Sequence, residues 1–170
     1  MQFISSDTNI WIDFKTIGKL ELPFRLPYTY LMSNDAIDSE LLNPPKLKEE
    51  LLQLGLVGVS VTLEEFYLAQ DYGSKYRKLS INDRLALSIA KNRGIILLSG
   101  DGPLRKAAAQ ENVTVMGTLA VLDQLLKTDL INDDEYCSCI QSLKNNNGGK
   151  IRLPQKELEL RLEKHSKTEL

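Results

Sequence analysis

The sequence predicts an α/β fold: three layers, with a central, mainly parallel sheet between helices and further helices at the C-terminal end. Three observations predict it. Short apolar, β-branched runs alternate with helix-length amphipathic segments, the pattern of strands joined by helical crossovers. One run, Ile95-Ile96-Leu97-Leu98, is apolar throughout, as a strand covered on both faces must be. The 170 residues are 42% hydrophobic and 26% charged, enough apolar surface to close a core.

The elements follow in order. Phe3–Ser6 reads as a strand that runs through Asp7 into a helix beginning near Thr8, with Ile10, Phe14 and Ile17 on one side. Leu22–Met32, with Pro23 and Pro27, carries no clear period. Asp35–Leu42 reads as a short helix stopped by Pro44-Pro45. Leu47–Leu54 is a second helix, with Gly55 as its C-cap. Val57–Val61 reads as a strand, Leu63–Tyr72 and Ser80–Asn92 as helices, and Gly94 closes the latter. After the Ile95–Leu98 strand come a helix at Pro103–Glu111, a strand at Val113–Met116, and helices at Thr118–Lys127, Asp133–Leu143 and Pro154–Lys164. Asn145–Gly149 is a turn or linker. The expected organisation is a domain over residues 1–145, then a linker and helical tail over 146–170.

Composition excludes several chemistries. A single His, His165, removes a His-based zinc site and a Ser-His-Asp triad. Cys137 and Cys139 fall on different faces of one helix and read as reduced structural thiols. No apolar run approaches the roughly 18 residues of a membrane span. The start Met1–Asp7 lacks a basic signal-peptide region, so the expectation is a soluble, cytoplasmic protein without a membrane partner. The net charge of −2 shows no basic excess, yet an acidic site can mask a basic rim.

Ligands of parallel α/β sheets sit at the strand C-termini. Asp7 follows the first strand and Asp101 follows Ile95–Leu98. Asp83 heads the Asp83/Leu87/Ala90 stripe, and Glu40 flanks the apolar side of its helix, with Asp35 and Asp38 as competitors. Each has a local alternative. Asp7 and Asp101 are placed to cap helices. Ser80-Ile81-Asn82-Asp83 fits a capping box. Four carboxylates without His or Cys suit Mg²⁺ or Mn²⁺, which would relieve their mutual repulsion and favour phosphodiester hydrolysis. A receiver-like signalling domain is disfavoured, because Thr62-Leu63-Glu64 after Val57–Val61 offers no acceptor Asp.

Ser6-Asp7-Thr8-Asn9-Ile10-Trp11-Ile12-Asp13 resembles the opening of PIN-domain nucleases. So does Asn82-Asp83-Arg84-Leu85-Ala86-Leu87-Ser88-Ile89-Ala90 with Ile95–Asp101, its two acids 18 positions apart. Val115–Leu119 and Leu130–Tyr136 are similar to the branch of ribonuclease toxins of prokaryotic toxin–antitoxin pairs. The resemblance covers most of residues 1–145. It implies a metal-dependent endoribonuclease whose four acids are Asp7, Glu40, Asp83 and Asp101, with Asp38 as the substitute for Glu40. Asn9 and Ser99 would support the acids by hydrogen bonding. RNA would be the substrate, an antitoxin the protein partner, and a homodimer is compatible with it. An inactive RNA- or protein-binding module is the alternative.

Candidate phosphate contacts are Arg84, Arg105 and Lys106 beside the acids, the cluster Lys75, Arg77 and Lys78, and the N-terminus of the Pro103–Glu111 helix. Tyr28, Tyr30, Tyr67, Tyr72 and Tyr76 are available for base stacking, with partial burial the commoner fate of such rings.

Overall fold

A computed structural model describes residues 2–166. The chain divides into two compact units: residues up to Ile10 with Pro27–Gly117, and Trp11–Leu26 with residues from Thr118 on.

The first unit holds β1 (Gln2–Ser6), β2 (Tyr28–Ser33), β3 (Val57–Val59), β4 (Ile96–Leu98) and β5 (Val115–Met116). They form one all-parallel sheet in the order β3-β2-β1-β4-β5. The helices α2 (Asn34–Glu40) and α3 (Leu47–Leu54) connect β2 to β3. Between β3 and β4 run α4 (Leu63–Lys75) and α5 (Ile81–Arg93), and α6 (Gly102–Gln110) joins β4 to β5. Right-handed crossovers on this order put the α2–α3 connection on one face and the α4–α5 and α6 connections on the other. That is the expected three-layer α/β/α plan. The winding reverses between β1 and β4, the switch point at which such sheets open a crevice.

β2 is the element the sequence conceals. As a central strand between β1 and β3 it is covered on both faces, so Tyr30, Leu31, Met32 and Ser33 are all buried and no alternation marks them. Pro27 stands just before it, where a strand tolerates proline. Pro23 lies in the first turn of a 3₁₀ helix, Leu22–Arg25. Other boundaries move by a few residues; the first helix, α1, spans Thr8–Thr16, beginning where expected and ending earlier. Gly55 and Gly94 end α3 and α5 with φ of 118° and 62°, a conformation that costs other residues energy. Beneath α5, Leu87, Ala90, Leu97, Leu104 and Ala108 form one buried cluster with Tyr72.

The second unit comprises α1 from Trp11 on, the 3₁₀ helix, α7 (Thr118–Lys127), α8 (Asp133–Asn145) and α9 (Gln155–Ser166). Trp11 stacks on Phe24, ring centroids 5.2 Å apart. Asp123 of α7 accepts from Tyr136 of α8 and pairs with Arg161 of α9 at 2.7 Å, and Leu158 is the buried anchor of α9. Cys137 and Cys139 are free, and burial raises the Cys139 thiol to about 11. Asp13 is buried, with a hydrogen bond of 2.7 Å from Thr118, and burial raises its carboxyl to about 6 against that bond. Among the described residues no helix is long and apolar enough to cross a membrane.

Candidate metal centre

Asp7 stands directly after β1 and is 5% exposed. Its Oδ1 accepts from the Thr8 amide at 2.8 Å and its Oδ2 from the Ser99 hydroxyl at 3.1 Å. Burial raises its carboxyl to about 7, and the charges of Asp83 and Glu40 push the same way, against the two hydrogen bonds. Ser99 follows β4, is fully buried, and accepts the Asp101 amide at 3.1 Å. One serine thus joins two of the predicted acids across the β1/β4 switch point.

Asp101 is the N-cap of α6, its Oδ2 accepting from the Leu104 amide at 3.0 Å. Asp83 closes the predicted capping box: its Oδ2 accepts from the Ser80 amide at 2.9 Å and its own amide donates to the Ser80 hydroxyl at 3.1 Å. Burial raises its carboxyl, hydrogen bonds from Ser80 oppose, and the charges of Asp101 and Glu40 add to the rise. The capping and cluster readings therefore coexist, because capping occupies one carboxylate oxygen and the charge still faces the other acids.

Glu40 ends α2. Its Oε2 accepts the Thr8 hydroxyl and its Oε1 the Asn82 side-chain amide at 2.8 Å. Asp38 turns away to pair with Lys48 at 2.7 Å, and its side chain is 70% exposed, so the geometry groups Glu40 and not Asp38 with the other acids. Asp7 and Glu40 line one small polar cavity with Ser6, Thr8, Ser33 and Asn82.

Asn9 differs from expectation. It is exposed and makes no side-chain hydrogen bond to another described residue. Thr8 begins α1, so Asn9 lies about 100° further round the helix and leaves the cleft. Thr8 and Asn82 support Glu40 instead. Their signal in the sequence is position alone: each adjoins a candidate acid.

None of the four acids is ion-paired to Lys or Arg among the described residues. The donor set is all oxygen and its charge is uncompensated, which fits Mg²⁺ or Mn²⁺ in kind. Among the described residues no three His, Cys, Asp or Glu side chains stand close enough together to enclose an ion. The cluster is thus open, and it offers the one or two carboxylates plus water that Mg²⁺ commonly takes.

The basic candidates separate. Lys75 pairs with Glu111 at 2.6 Å and lies over the Tyr76 ring, so its charge is spent within the fold. Arg77 and Lys78 are exposed. Arg84 donates to the Ser80 carbonyl at 3.2 Å and packs over Gly73 of α4, a helix-to-helix contact. Arg105 donates to the Ser99 carbonyl at 3.0 Å. The α6 N-terminus is a poor anion site, because Asp101 caps it and Pro103 has no N–H. Tyr30 and Tyr72 are buried, and Tyr67 is exposed.

A family model described as a PIN domain matches residues 3–167, nearly the whole chain. No curated protein and no solved structure matches. PIN domains are generally nucleases that use divalent metals. With an all-parallel sheet whose strands β1 and β4 each run out toward a candidate acid, and a match from Phe3 to Lys167, the chain belongs to the PIN-domain family.

Proposed function

We propose that this protein is a divalent-metal-dependent endoribonuclease that hydrolyses RNA phosphodiester bonds, acting as the toxin of a toxin–antitoxin pair. The observation that carries the nuclease reading is the shared cavity of Asp7 and Glu40, with Asp83 and Asp101 within electrostatic reach and, among the described residues, no Lys or Arg paired to any of them. Of Asp7, Glu40, Asp83 and Asp101, the cavity-sharing pair Asp7 and Glu40 would hold the ion directly, with Asp83 and Asp101 acting on it by charge and through water. When bound, Mg²⁺ or Mn²⁺ supplies an activated water and stabilises the leaving oxygen. Ser99 keeps Asp7 oriented across the switch point. Thr8 and Asn82 fix both oxygens of Glu40, so its carboxylate keeps one direction. Burial of Asp7 excludes bulk water from its charge and strengthens every interaction it makes. The toxin role rests on the resemblance of Val115–Leu119 and Leu130–Tyr136 to that branch, and it implies an antitoxin partner.

The test is cleavage of single-stranded or structured RNA by the purified protein with Mg²⁺. Cleavage lost in both Asp7→Asn and Asp101→Asn supports the assignment. Activity that survives both substitutions ends it. One observation favours a second reading, a non-catalytic PIN-like RNA- or protein-binding module: every one of the four acids already accepts hydrogen bonds from its own fold. RNA bound but left intact in Mg²⁺ and Mn²⁺ supports that module.

A further inference from the structure

We propose that Ser99, Arg105 and Gly117 build a seat for one RNA phosphate at the rim of the acidic cluster. The proposal rests on the ribonuclease reading for its ligand.

Arg105 is the fourth residue of α6. Its Nη1 donates to the Ser99 carbonyl at 3.0 Å. The guanidinium lies against Gly117, where an added Cβ would stand 2.7 Å from Nη1. The backbone of Gly117 lies outside the left-handed region, so backbone conformation does not demand glycine there. Space for the guanidinium does.

The contrast with other cations is direct. Lys48, Lys75, Arg93 and Arg161 are each spent on a carboxylate. Arg84 is pinned to a carbonyl of its own helix's first turn. Arg105 is held by a neutral carbonyl at the end of β4, so its full charge remains. Of its five N–H donors one is used, and the rest have no partner among the described residues. A planar fork with fixed orientation suits a phosphodiester oxygen pair.

Ser99 places that fork. Its hydroxyl binds Asp7 and the Asp101 amide, while its carbonyl binds Arg105. Cation and acids are therefore fastened to opposite ends of one buried residue. A phosphate approaching four carboxylates is repelled, and a fixed cation beside them offsets that repulsion and sets where the phosphate rests. Gly117 is a positioning residue, acting through Arg105.

The test is binding of a short labelled single-stranded RNA of mixed sequence, by anisotropy in EDTA, across a KCl series. Loss of one phosphate contact lowers the slope of log Kobs against log[salt] by about 0.7 for a single strand. Arg105→Gln and Gly117→Ala should each lower it by about that amount and weaken binding roughly tenfold. The double variant should be no worse than either single one. Arg105→Lys should keep the slope, because a cation still stands at the seat, whereas Gly117→Ala displaces the guanidinium from it. Gly117→Ala meets only the end of a flexible side chain; should it fail to fold, Arg105→Gln alone decides. No measurable binding by the native protein, an unchanged slope in Arg105→Gln, or additive losses in the double variant overturns the seat. RNA cleavage in Mg²⁺ is scored separately. Native protein that shows these slopes without ever cleaving upholds the seat and ends the nuclease reading. Cleavage with unchanged slopes does the reverse.

Discussion

The Ser99 hydroxyl, at the end of β4, donates to Asp7 Oδ2, at the end of β1, at 3.1 Å. This bond closes the switch point of the sheet, and the same oxygen accepts the Asp101 amide. Ser99→Ala should remove both contacts at a site with no exposure to water. The expected cost is about 1–2 kcal/mol of unfolding free energy, because the buried Asp7 acceptor and the half-buried Asp101 amide lose their partner. Urea denaturation with and without the substitution measures it, and metal-dependent RNA cleavage should fall about tenfold or more alongside. Native-like stability in the variant would show that the hydroxyl contributes little.

Asn82 and Thr8 together hold both oxygens of Glu40. Asn82 caps nothing, so its removal spares its own helix and frees Glu40, together with a weaker bond of 3.2 Å to the Ser39 hydroxyl. Asn82→Ala should lower cleavage by about tenfold while costing less than about 1 kcal/mol of stability. Asn82→Asp keeps the size but sets a further negative charge against Glu40, and it should be worse than alanine in RNA cleavage at low salt. Equal activity of the three proteins would remove Asn82 from the site.

Much of the first unit was legible. The Ile95–Leu98 run, the Ser80/Asp83 capping box and the Gly94 stop are local signals, and each sits within a residue of its predicted place. Strand β2 was not legible, since a central strand loses its alternation and two prolines obscure its approach. The acids after β1 and β4 could be read because strand ends announce them. Which of Glu40 and Asp38 lines the cavity could not, since the answer lies in side-chain contacts: Asp38 pairs with Lys48, ten positions on, while Glu40 meets Thr8 and Asn82. Thr8 and Asn82 stayed hidden because a hydrogen bond between residues 32 or 42 positions apart leaves no periodic trace. Arg105 and Lys75 look alike in sequence, and only tertiary packing shows that Glu111 neutralises one and a carbonyl holds the other.

Asp13 supplies a prediction about stability in the second unit. Its folded carboxyl titrates at about 6, above the ordinary 3.8, because burial disfavours the charged form. The folded state therefore binds a proton more tightly than the unfolded chain. The associated stability is fully present below about pH 4 and is lost as pH rises through 6, by about 3 kcal/mol in total. Asp13→Asn keeps an acceptor for Thr118 and removes the titration. Urea denaturation in EDTA at pH 4, 6 and 8 should show the variant gaining on the native protein as pH rises. A pH-independent difference between them would refute the assignment to Asp13.

Asp7, Glu40, Asp83 and Asp101 are proposed to serve one divalent cation, one or two of them directly and the others by charge through water. Calorimetric titration of Mn²⁺ into metal-free protein tests it most directly, with Asp7→Asn and Asp101→Asn beside the native chain. Asparagine keeps the Asp101 cap, so the comparison isolates charge from helix stability. Saturable binding by the native protein is expected, with a loss of at least about tenfold in affinity in each variant. Binding that is absent from the native protein, or equally tight in all three, would contradict it.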